Sequence, residues 1–197
     1  SKLPHVVPEK NKKGTVGLIV LRSYLLAGNT GHYDGVIAAF ESLEIQVIPC
    51  FSMGLDARPA IEKFLYSGEE KKIDALVSLT GFSLVGGPAY NDSEAAKSIL
   101  AKLNVPYLSA SPLEFQSLDE WENSSTGLLP VENTIMVAIP ELDGAISPLV
   151  FGGRRMVKGD GEPLWEEKER PKKSGYLDRN MTFSSERVSL LARRVLK

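Results

Sequence analysis

The chain has 197 residues, 43% of them hydrophobic and 24% charged, enough for one globular unit with a sizeable core. A formal net charge of -2 and a pI of about 5.8 argue against nucleic acid or an anionic membrane as partner, since both select a basic excess. The single cysteine, Cys50, excludes an intrachain disulfide; His5 and His32 are too few for a multi-histidine metal site; and no apolar run reaches the ~18 residues of a membrane span.

Residues 1–13 are polar, with Pro4, Pro8, Lys10, Lys12 and Lys13, and read as a linker. Residues 15–21 (TVGLIVL) form a β-rich apolar run, a buried strand. Tyr33, Val36, Ile37, Phe40 and Leu43 then fall at helical spacing. Residues 46–51 (QVIPCF) give a second strand, which Pro49 restricts to an edge or ends early, with Cys50 as a small core residue. A second helix carries Ala60, Ile61, Phe64 and Leu65 on one face, and residues 75–79 (ALVSL) give a third strand. Asn91 and Glu94 have capping-box spacing ahead of a third helix with Ala95, Ala96, Ile99, Leu100 and Leu103 on its apolar face. A fourth strand covers residues 106–110 (PYLSA). Strands alternating with helices of this length predict an α/β fold: an open, mainly parallel sheet with helices on both faces, flavodoxin-like or Rossmann-like.

Beyond residue 110 the alternation loosens. Residues 112–126 read as a loop or short helix, with Phe115 and Trp121 as core or cover residues. Residues 130–139 read as a helix opened by Pro130 and ended by Pro140, and a fifth strand falls at 147–151. Residues 155–183 form a polar excursion. Ser184 or Ser185 caps a last helix with Val188, Leu191 and Val195 on one face. The start without Met and the last helix's lack of a stop signal lead us to expect a domain, residues 14–154, from a longer protein.

In such sheets ligands bind at the carboxyl ends of the strands. Three loops leave those ends: residues 22–34, 52–59 and 80–92. None carries a GxxxxGK[ST] or GxGxxG pattern, so the chain has no signature of an intrinsic ATPase or dinucleotide site. Gly86-Gly87 reads as a turn, Asp56 with Arg58 as a local ion pair, and His32 as a polar residue near a helix start that is also placed to carry a proton on the rim. Glu141 and Asp143 fall in an acidic turn closed by Gly144.

The stretches GLIVLRSYLLAGNTGHYDGVIAAFES (17–42), IPCFSMGLDARPAIEKF (48–64), VSLTGFSLVGGPAYND (77–92), VPYLSASPLEFQSLDEW (105–121) and GLLPVENTIMVAIPELDGAISPLVFGGR (127–154) resemble the porphyrin-binding large subunit of magnesium chelatase. The wording of the first and third looks closer to the bacteriochlorophyll branch than to plants. The aerobic cobaltochelatase large subunit belongs to the same superfamily and is the competing identity. A docking domain of the same subunit and a stand-alone α/β small-molecule binder are further alternatives.

The resemblance implies ATP-dependent insertion of Mg²⁺ into protoporphyrin IX, with Mg²⁺ as substrate. ATP would be hydrolysed by two AAA+ motor subunits, the piece alone would be inactive, and no tightly bound cofactor is expected. It also implies the bacterial cytoplasm, or the chloroplast stroma in a plant or alga. Pyrrole protons must leave and a hard, tightly hydrated ion must be delivered, so carboxylates are the apt residues. Glu141 is expected to accept a pyrrole proton or guide Mg²⁺, sheltered by adjacent apolar segments, with Asp143 and Glu132 as further groups on the ion path and His32 as a second proton carrier. Arg22, Asn29, Asp56, Gly86 and Gly87 are the expected substrate contacts.

Overall fold

The computed structural model describes residues 7–8, 10–52, 54–87, 90–157 and 176–196. The buried run opens the fold as strand β1 (Gly14–Ile19), followed by a short helix α1 (Arg22–Leu26), helix α2 (Gly31–Glu41) and strand β2 (Ile45–Cys50). Helix α3 (Arg58–Phe64), a small hairpin of β3 (Tyr66–Ser67) and β4 (Glu70–Lys71), and strand β5 (Ala75–Ser78) come next. Helix α4 (Ser93–Leu103), strand β6 (Tyr107–Leu113) and helix α5 (Leu118–Glu122) lead to a continuous helical stretch, α6 (Pro130–Asn133), a π turn (Thr134–Ala138) and α7 (Ile139–Asp143). Strand β7 (Ile146–Gly153), the short pair β8 (Met156–Val157) and β9 (Tyr176–Leu177), strand β10 (Thr182–Phe183) and helix α8 (Ser185–Val195) complete the described elements.

The main sheet runs β10-β7-β6-β5-β1-β2. All neighbours pair parallel except β10, which pairs antiparallel with β7. Taking the five parallel strands in chain order, the arrangement is 2-1-3-4-5, the flavodoxin-like order. One face packs on α2 and α8, with Val36, Phe40, Val188 and Leu191 against Leu18, Val77 and Phe151. The other face packs on α3 and α4, with Ile61, Leu65, Ile99 and Leu103 against Ile19 and Leu76. Pro49 sits on the edge strand β2, where a missing N–H disturbs no inner ladder.

Several expectations are corrected. Phe64 is exposed, leaving Ala60, Ile61 and Leu65 as the inner face of α3. The cap of α4 is Asp92, whose carboxylate accepts from Ala95 N at 3.0 Å, in place of Asn91. Phe115 is exposed, whereas Trp121 packs on Leu113, Leu118 and Val150. Pro140 does not end its helix. The preceding turn widens so that Ile139 N–H bonds Thr134 C=O, five residues back, and the ladder shift accommodates a ring that cannot donate. Of the 155–183 excursion, residues 158–175 lie outside the described residues. In the segment read as a linker, Val7 is buried, its N–H donating to Gln46 Oε1 at 2.9 Å.

Candidate functional site

Strand β2 and strand β5 lie on opposite sides of β1, so the chain switches direction across the sheet at β1/β5. The loops leaving the strand ends part there and open a crevice. A cleft of about 310 Å³ occupies this place. Its walls are Leu21, Arg22 and Leu26 after β1, Leu55 after β2, and Thr80, Phe82 and Ser83 after β5. Leu26 and Leu55 are 70% and 52% exposed, unusually open for leucines, so the cleft mouth is apolar. Among the described residues no carboxylate pairs with the Arg22 guanidinium, which makes it the unspent cation of the cleft.

The predicted contacts separate into two groups. Arg22 lines the cleft. Asp56 neighbours it, but its carboxylate holds Arg58 through Nη2 at 2.7 Å and Nε at 3.0 Å, and that hydrogen-bonded guanidinium keeps the carboxyl below its ordinary range. Asn29 is spent on backbone: its amide donates to Arg179 O at 3.0 Å and accepts from Met181 N at 2.8 Å, tying the chain before β10 to the first loop. Gly86 and Gly87 build a turn. Gly86 has φ +114°, and a Cβ there would stand 2.2 Å from Tyr90 O; one on Gly87 would stand 2.5 Å from Leu55. Gly86 N also donates to Leu55 O, so the turn braces the cleft wall from behind.

His32 does not reach the rim. It is fully buried, its ring 3.8 Å from that of Tyr33 and 4.8 Å from that of Tyr24, and stacked on Phe151 at 5.9 Å. Neither ring nitrogen has a hydrogen-bond partner among the described residues, and burial pushes its pKa down to about 4. The ring is neutral at physiological pH, and edge-on against it lies Tyr24, whose hydroxyl donates to Glu114.

The acidic turn is arranged differently from expectation. Glu141 is exposed on α7 and does not line the cleft, so the apolar shelter expected around its carboxylate is missing in this unit. The shelter falls on Asp143. That carboxylate is fully buried and accepts from Ser83 Oγ at 2.8 Å and Leu84 N at 2.7 Å. Burial raises its carboxyl pKa, opposed by those two bonds. Asp143 thus fastens the end of α7 to the loop that walls the cleft. Glu132 is likewise buried, but it accepts from Phe115 N, Gln116 Nε2 and Leu129 N and serves to join β6 to α6. Sequence reasoning missed Ser83, Leu55 and Leu26 as cleft residues. The signal available was their place in strand-end loops.

These features define an α/β unit of the doubly wound class whose switch-point cleft is apolar and has no phosphate-cradling loop. A sequence model described as CobN/Magnesium Chelatase matches residues 5–197, running through the polar excursion as well. The magnesium-chelatase H protein of Cereibacter sphaeroides is 58% identical over 147 residues, 75% of this chain and 12% of that protein. The chloroplastic magnesium-chelatase ChlH protein of Oryza sativa subsp. indica is 43% identical over 157 residues, 79% of this chain and 11% of that protein. Among solved structures, the catalytic subunit of cobaltochelatase from Mycobacterium tuberculosis shares the fold with a TM-score of 0.69 at 22% identity, covering 95% of this chain and 15% of that one. The chain belongs to the CobN/magnesium chelatase family. It spans about an eighth of the length of these two magnesium-chelatase relatives.

Proposed function

We propose that this chain is a wall of the tetrapyrrole site in a magnesium chelatase large subunit, and that its switch-point cleft takes one edge of protoporphyrin IX. The observation that carries the reading is the pairing of exposed Leu26 and Leu55 with Arg22, which no described carboxylate engages. A flat apolar ring with carboxylate tails needs that combination of leucine surface and guanidinium. Sites for drug-sized ligands run about 300–1,000 Å³, so a cleft of about 310 Å³ suits one edge of a macrocycle, with the remainder held by other parts of the larger protein.

In this reading Mg²⁺ is substrate, and ATP is hydrolysed by two AAA+ partner subunits, in keeping with the missing phosphate loop. No tightly bound cofactor belongs to the unit, which by itself does not insert metal. The exposed Glu141 takes a pyrrole proton or meets the ion in a site completed from outside this unit, with Asp143 fixing its turn. The compartment is the cytoplasm in a bacterium and the stroma in a plant or alga. Magnesium is favoured over cobalt by the 58% identity to a magnesium-chelatase protein, because the 22% likeness to a cobaltochelatase supports the fold alone.

The test is titration of the chain with deuteroporphyrin IX, read by Soret absorbance. Leu55→Asp and Arg22→Gln should each weaken binding at least tenfold, while Leu142→Asp, outside the cleft, leaves it unchanged. Equal affinity in all four proteins would remove the cleft from the site and leave the docking-domain reading. Glu141→Gln in the full-length protein should retain porphyrin binding and lose insertion; unchanged turnover would remove its role.

A further inference from the structure

A second cleft, of about 220 Å³, lies beside β7, between α8 on one face of the sheet and α5 with the π turn on the other. Its body is apolar, with Met136 and Leu149, and it holds the indole of Trp121. Two cations of α8 border it. The Arg187 guanidinium lies 4.8 Å over the Trp121 ring centroid, and Arg194 donates one bond to Ser147 O at 3.2 Å.

Neither guanidinium has a carboxylate partner among the described residues. The acids of α5 are engaged elsewhere: Asp119 and Glu122 both bind Arg155, at 2.8 and 3.0 Å, and Glu120 closes the capping box on Ser117. Ser111 also lines this cleft, and its buried hydroxyl has no partner among the described residues.

We infer that this cleft is a binding site for an apolar monocarboxylate, distinct from the switch-point cleft. The two guanidinium groups would take the carboxylate, and the indole and Leu149 the apolar body. At the ~30 Å³ that a water occupies in the liquid, the cleft has room for about seven waters, which fits a short chain or a single ring. It shares no lining residue with the switch-point cleft, so the site stands independently of the tetrapyrrole reading.

Trp121 and Trp165 are the chain's two tryptophans, so a Trp165→Phe background leaves fluorescence reporting on this cleft alone. Sodium octanoate is expected to give a saturable change in that emission. Octanol, with the same chain and no charge, should bind at least tenfold more weakly, and acetate should give no change. Arg194→Gln should weaken octanoate about tenfold, or ~1.4 kcal/mol, and leave octanol unchanged. Arg187→Lys, which keeps charge but loses the planar fork, should also weaken octanoate. Circular dichroism checks that each variant is folded. Equal response to octanoate and octanol, undiminished octanoate affinity in folded Arg194→Gln, or no saturable response in the folded parent would each overturn the site.

Discussion

His32 makes the folded state sensitive to mild acid. Its ring is enclosed by Tyr24, Tyr33 and Phe151 with no partner for either nitrogen among the described residues, so burial disfavours a proton on the folded chain. The folded pKa of about 4 lies below the ordinary 6.5. The unfolded chain therefore binds more protons than the folded chain between those values, and stability falls as pH drops through that window, levelling off below it. The full drop is worth about 3 kcal/mol, of which about 2 kcal/mol is lost between pH 7.5 and 5. The assay is urea unfolding of a His5→Gln parent at steps across this range, compared with His32→Phe, which retains a ring in the aromatic nest. Asp143 has the opposite sign. Its raised carboxyl makes the folded state the better proton binder, so its contribution declines as pH rises, and a parallel Asp143→Asn series removes it. The depressed carboxyls of Asp56 and Asp119 lose their stabilisation only at lower pH. A parent whose stability is flat from pH 7.5 to 5, or a His32→Phe protein that keeps the slope, would refute the assignment.

Gly86→Ala forces a left-handed backbone and a clash with Tyr90 O, and should cost at least about 2 kcal/mol, read as a fall in the urea midpoint. Asp56→Asn breaks an ion pair whose side chains are each about two-fifths exposed, so its cost should stay below about 1 kcal/mol in the same assay. The Cys50 thiol is buried and pushed up to about 12, so iodoacetamide at pH 8 should label it only at the rate of unfolding; rapid labelling of the folded chain would show an open site.

The parallel sheet was legible because its strands are buried on both faces and therefore read as unbroken apolar runs, as in residues 15–21. Helices α2, α4 and α8 were legible from apolar spacing. The short elements were not. The five residues of α1 and the two-residue strands have too little length for a period to show, and they are held by tertiary contacts such as the Asn29 bonds to the segment before β10. Pro140 was misread for a different cause. Its usual effect presumes an i to i−4 ladder, and the ladder slips by one residue before reaching it. A cleft does open among the strand-end loops, but which of their residues face it depends on turns that the sequence does not display. Arg22 reaches it; Asn29 turns to backbone, and His32 turns into the core.

The acidic turn shows why the candidate carboxylate was the hardest part to read. Residues two apart on a helix lie about 200° around its axis, so Glu141 and Asp143 cannot share a face. Hydrophobic patterning would bury Leu142 and leave the acids outside. The fold does the reverse: Leu142 is 59% exposed and Asp143 is fully buried. Burying a carboxylate while exposing a leucine is unfavourable for an isolated unit and persists only where other bonds repay it. Ser83 Oγ and Leu84 N supply those bonds from the cleft wall. The turn's conformation is thereby set by a loop some sixty residues away in sequence, and Glu141 and Leu142 are presented outward together. An outward carboxylate beside an outward leucine is the arrangement expected where another part of a larger protein packs on the turn and supplies the shelter that this unit does not.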